Sequence, residues 1–103
     1  MSDRLSQLQK MLERQPDDAF LLYGVAMEHK KAGDAAGALE YLGRVTQKDP
    51  NYCYAYYQRG LVHESQGDTE AARRSYNDGI EAANRAGDAH AKGEIEAALE
   101  MLG

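Results

Sequence analysis

AFLLYGVAMEHKKAGD, residues 19–34, is followed 34 positions later by CYAYYQRGLVHESQGD, residues 53–68. Both stretches run from an apolar, aromatic-bearing start to a Gly-Asp ending, Gly33-Asp34 and Gly67-Asp68. In this register Tyr23 meets Tyr57, His29 meets His63 and, farther on, Ala38 meets Ala72. Phe20 with Tyr54, Met27 with Leu61 and Leu42 with Tyr76 are pairs of similar character. Identity is low, but the matches fall at helical spacings. A fixed period of this length marks a repeat architecture.

The local physics agrees with the period. Leu22, Val25, Ala26 and His29 recur on one side of a helix predicted over residues 19–32. Gly33 ends it, because glycine tolerates the left-handed conformation that a helix stop needs. Asp34 caps the next helix, residues 35–48, since its carboxylate accepts hydrogen bonds from the free amides of the first turn. Ala38, Leu42 and Val45 face inward there. Asp49-Pro50-Asn51 then breaks the chain. A second pair follows: a helix over 53–66, the Gly67-Asp68 turn and a helix over 69–85.

A 34-residue helix-turn-helix unit of this kind resembles the tetratricopeptide repeat, whose pattern is Trp-x-x-Leu-Gly-x-x-Tyr, then Ala-x-x-x-Phe, then Pro. The first unit reads Leu22-x-x-Val25-Ala26-x-x-His29, Ala38-x-x-x-Leu42 and Pro50. The second reads Tyr56-x-x-Arg59-Gly60-x-x-His63, Ala72-x-x-x-Tyr76 and Asn84. Ala26, Gly60, Ala38 and Ala72 stand where the two helices of a repeat cross closely. Arg59 departs from an apolar position. Asn84 replaces the closing proline, which lets the second repeat's last helix run on.

The flanks fit the same scheme. Leu8, Met11, Leu12 and Pro16 stand where the second half of a preceding repeat would place them, so residues 3–14 form a helix covering the N-terminal side. Gly87-Asp88 is a third turn-and-cap signal. Ile95, Ala98, Leu99 and Leu102 make residues 89–102 an amphipathic helix. The resemblance therefore implies one all-α domain over 1–103: antiparallel helix-turn-helix repeats stacked as a short right-handed superhelix. Its parts are an N-terminal helix at 3–14, repeats at 19–52 and 53–86, and a C-terminal capping helix at 88–102, since a repeat stack needs covered ends.

The resemblance also implies a binding face. Family ligands are held mainly by the second, fifth, ninth and twelfth positions of each repeat's first helix, on the concave side. Those positions are Phe20, Tyr23, Met27 and Lys30 in one repeat and Tyr54, Tyr57, Leu61 and Glu64 in the other. Some family members clamp a peptide's terminal carboxylate with Lys, Arg and Asn there. Tyr23, Met27, Tyr57 and Leu61 supply no such clamp, which argues against a chaperone tail. A protein or peptide with an apolar or amphipathic segment fits better. The alternative is a self-assembling scaffold, a homodimer for instance, in which the C-terminal helix or a second copy fills this face.

Composition closes off other classes. The chain has 103 residues and a net charge of -5, with acidic and basic residues interspersed, so nothing supplies the positive field that nucleic acid demands. Tyr52, Tyr54, Tyr56 and Tyr57 could stack on bases, but stacking normally works beside a positive groove. No apolar run approaches the roughly 20 residues of a membrane span. Met1–Ser6 carries no apolar targeting core, and Cys53 alone cannot form an internal disulfide. The expected setting is the cytoplasm.

Catalytic signals are equally thin. No phosphate-binding glycine loop and no nucleophile elbow occurs, and no cofactor is expected. His29 and His63 stand one repeat apart but without a carboxylate or thiol at metal-ligand spacing. They read as packed residues replacing the family's tyrosine. Cys53 opens a helix, where a thiolate gains from the N-terminus, and reads either as a reactive thiol or as a small semi-buried residue. His90 has no evident partner in the sequence. An enzyme is not expected.

Overall fold

The computed structural model describes residues 3–103; Met1 and Ser2, part of the stretch read for a targeting signal, lie outside the described residues. Among the described residues six α-helices follow one another: α1 (Asp3–Arg14), α2 (Ala19–Lys31), α3 (Ala35–Lys48), α4 (Cys53–Ser65), α5 (Thr69–Ala86) and α6 (Ala89–Leu102). No strand occurs among the described residues. The helices fall into two compact units, Met1–Asp49 and Pro50–Gly103.

One device makes three of the turns. At the end of α2 the amide of Gly33 donates to the Lys30 carbonyl at 3.0 Å, and that of Asp34 to His29 at 2.9 Å. Gly67 and Asp68 repeat this on Glu64 and His63, and Gly87 and Asp88 on Asn84 and Ala83. The paired bonds need a left-handed residue between them, and φ is +79°, +77° and +68° at the three glycines. Each aspartate then caps the next helix: Asp34 accepts from the Gly37 amide at 2.9 Å, Asp68 from Ala71 at 3.1 Å, Asp88 from Ala91 at 3.0 Å. Two residues thus satisfy orphaned carbonyls behind and orphaned amides ahead.

In the first unit α2 packs on both α1 and α3. Its core is Leu8 and Leu12 of α1, Leu21, Leu22, Val25 and Ala26 of α2, and Ala38, Leu42 and Val45 of α3. Met11, expected among the packed residues of α1, is instead 51% exposed. Among the described residues α1 packs mainly on α2, and Met11 lies off the Leu8–Leu12 face that meets it.

In the second unit α5 packs on both α4 and α6. Cys53, Ala72, Tyr76, Ala82, Ala83, Ala91 and Ile95 form its core. Tyr76 is fully buried, and it fits because Gly60 of α4 has no side chain: a Cβ there would overlap the Tyr76 ring. As the missing proline implied, α5 runs on, to 18 residues against 14 for α3. The added turn brings Arg85 to the entry of α4, where it donates to Asn51 Oδ1 at 2.8 Å and to the Pro50 carbonyl at 2.9 Å. That carbonyl also accepts from the Tyr56 hydroxyl at 2.9 Å.

Two outcomes follow from this packing. Gly60→Ala should cost about 1–3 kcal/mol in urea unfolding, since it overpacks a buried aromatic contact; an unchanged midpoint would mean that the helices are not this close. The Asp34 carboxylate is held below its ordinary 3.8, mainly by the Gly37 amide. A depressed folded pKa contributes stability that is present above 3.8 and lost as pH falls through the folded value. Asp34→Asn should therefore flatten the acid limb of stability below about pH 4, measured by thermal melts across the acid range.

Candidate functional site

The residues expected to bind lie on α2 and α4, and the structure treats the two helices differently. On α2, Asp18 caps the helix by accepting from the Leu21 amide at 3.1 Å. Leu21, Leu22, Val25 and Ala26 are buried, which turns the other side outward. Phe20 is 70% exposed, while Tyr23, Met27 and Lys30 are half-buried. An aromatic ring left this open by the fold carries unspent apolar surface.

On α4 the corresponding residues are knitted into their own unit. Tyr54, Tyr57 and Leu61 are half-buried and Glu64 is exposed. Tyr54 meets Tyr57 edge-on with ring centroids 6.2 Å apart, and Tyr57 lies tilted against Tyr76 at 6.2 Å. The Tyr76 hydroxyl donates to Glu64, so this expected partner contact already has an internal bond. The Tyr54 hydroxyl donates to Glu94 of α6 at 2.6 Å. That carboxylate, with a smaller part from burial, pushes the Tyr54 pKa up to about 12. Burial first, then Glu64, moves Tyr76 in the same direction. Tyr56 is half-buried against the core with its hydroxyl on the loop.

The remaining chemistry-bearing residues are absorbed locally. His29 stacks on Tyr41 at 5.4 Å and its Nδ1 lies 3.0 Å from the Asp34 carboxylate. Burial lowers the His63 pKa below 6.5. His90 does have a partner, Glu94 at 2.9 Å one turn on, an i,i+4 relation that the sequence contained. Cys53 is buried, with its Sγ 3.8 Å from Asp88 Oδ2. Burial raises the thiol pKa above 9.0 and the carboxylate raises it further, the reverse of what a nucleophile needs. Among the described residues no three His, Cys, Asp or Glu side chains stand together as a metal site.

This geometry defines a class: a protein of antiparallel helical hairpins joined by Gly-Asp turns, with aromatic residues on the first helix of each hairpin. The tetratricopeptide repeat pattern matches residues 18–52 and 54–78. The chain is 34% identical over 95 residues to the TPR repeat-containing protein PA0015 of Pseudomonas aeruginosa, covering 92% of this chain and 90% of that one. A tetratricopeptide repeat domain protein from Salinibacter ruber superposes with a TM-score of 0.79 at 32% identity, over 84% of this chain and 88% of that one. Protein BPP2914 from Bordetella parapertussis superposes with a TM-score of 0.84 at 26% identity, over 99% and 89%. The chain belongs to the tetratricopeptide repeat family. Repeats of this family are generally protein-interaction modules and generally non-enzymatic. No described helix is long and apolar enough to cross a membrane.

The hold of α6 on α4 can be read by titration. A folded pKa raised above the unfolded value contributes stability that is full below pH 10 and lost as pH rises through about 12. Glu94→Gln should therefore move the Tyr54 ionisation down toward 10, followed as tyrosinate absorbance in the near ultraviolet. The Cys53 thiol should react with a disulfide reagent more slowly than free cysteine at neutral pH, and Asp88→Asn should speed it up.

Proposed function

We propose that the protein holds a partner protein or peptide through an apolar or amphipathic segment laid on the first-helix stripes: Phe20, Tyr23, Met27 and Lys30 of α2, with Tyr54, Tyr57, Leu61 and Glu64 of α4. The exposure of Phe20 carries this reading. Folding buries Leu21 and Leu22 beside it and leaves this ring in water. Aromatic residues of this kind dominate binding energy where a partner covers them. The four α2 residues recur at three- and four-residue intervals, so an extended or helical segment meets them as one row. The side chains in that row are aromatic and aliphatic until Lys30, which suits an apolar segment carrying an acidic group at one end.

A second reading is favoured by the Tyr54–Glu94 bond. It sets α6 against the start of α4, so the α4 stripe serves internal packing and α2 alone meets the partner, with self-assembly as the rival role. Two variants separate the readings. Phe20→Ala should leave stability within about 0.5 kcal/mol of wild type, and Tyr57→Ala should cost about 2 kcal/mol through its ring contacts. Affinity capture from the source lysate should then yield a protein retained by wild type and lost with folded Phe20→Ala/Tyr23→Ala. Identical capture by both would defeat the proposal.

A further inference from the structure

The six helices do not divide evenly into hairpins. α2 pairs with α3 and α4 with α5, whereas α1 and α6 are halves. α1 has the register of a second helix: counting back from Pro16 as from Pro50, Leu8 matches Leu42, Met11 matches Val45 and Arg4 matches Ala38. Val45 is 0% exposed beneath its hairpin partner, and Met11, at the same position, is 51% exposed. α6 has the register of a first helix. The eighth residue after the N-cap is Ala26 in α2 and Gly60 in α4, both buried, and in α6 it is Glu96, which is exposed. Met101, near the end of α6, is 88% exposed.

We propose that a second copy of this chain supplies the missing half: α6 of one copy packs on α1 of the next, head to tail, completing a hairpin-like pair across the joint. The charges favour this occupant. In the two hairpins these register positions hold Ala26 and Ala38, and Gly60 and Ala72, all small and buried; at the joint the same positions hold Glu96 and Arg4, both exposed and opposite in sign. The helices carry the same bias, since α1 holds Arg4, Lys10 and Arg14 against Asp3 and Glu13, while α6 holds Glu94, Glu96 and Glu100 against Lys92. Arg4 also lies 3.8 Å from Glu28 on its own unit, a contact that leaves most of its side chain in water. Long charged side chains hold the helices farther apart than Ala and Gly do, so the joint is weak, salt-sensitive and reversible. Because the two faces differ, the contact is heterologous and adds copies in series rather than closing at two. It uses faces other than the α2 and α4 stripes and stands independently of the function proposed above.

Sedimentation velocity of the full chain at low salt, over a rising concentration series, tests it. The weight-average mass should climb past the dimer and fall back when salt is added. Arg4→Glu and Glu96→Arg should each weaken association about tenfold, and the double exchange should restore it, with circular dichroism confirming helix content in each. Glu96→Arg leaves the Arg4–Glu28 contact intact and so reads the joint alone. A monomer at every concentration, an association that stops at two, single variants equal to wild type, or a double variant that fails to recover would each overturn the proposal.

Discussion

Everything in this chain hangs on how a helix can stop and restart within two residues. A helix end leaves carbonyls unpaired and the next start leaves amides unpaired, and water must hydrate both unless the chain supplies partners. Gly-Asp supplies them in sequence. The left-handed glycine folds two amides back onto the finished helix, and the aspartate carboxylate takes up an amide of the new one. With so short a link the two helices must lie antiparallel and side by side, so their apolar faces meet at once. The three turns differ in their neighbours and share these bonds, which is why the hairpins form despite low identity between the repeats.

The two first helices show how one scaffold position diverges. Phe20 and Tyr54 occupy the same place in the repeat, yet one ring stands in water and the other is tied by its hydroxyl to Glu94. The hydroxyl makes the difference possible: a phenylalanine offers no donor for a carboxylate on a neighbouring helix. Glu64, the polar end of the α4 row, likewise has an internal bond, since it accepts from the buried Tyr76. A family-level stripe thus names positions, and local bonding decides which of them remain available.

Helix positions were legible because they rest on local signals. Glycine and aspartate at the turns, proline at Pro16 and Pro50, and apolar spacing on one face all act within a few residues. The extension of α5 was legible too, from the proline that Asn84 replaces. Contacts between residues far apart in sequence were not. Arg85 reaching Asn51 and Pro50, Tyr54 reaching Glu94 and Asp88 beside Cys53 each join residues 34 or more positions apart. No periodicity encodes them. The exposure of Met11 escaped for a related reason, since burial depends on a neighbouring helix and not on the residue's place in its own. The His90–Glu94 pair, by contrast, was available from its spacing alone.

Gly60 and Tyr76 also bear on how such repeats can diversify. In the first repeat the matching positions hold Ala26 and Leu42, both fully buried: a larger residue where the second repeat has Gly60 and a smaller one where it has Tyr76. The two hairpins therefore divide a similar volume in different proportions. A recombination event that joined the first helix of one repeat to the second helix of the other would bring Ala against Tyr in one product and Gly against Leu in its reciprocal. The first is crowded and the second is hollow. A hairpin exchanged whole would keep its matched pair of residues, and a single helix exchanged alone would not.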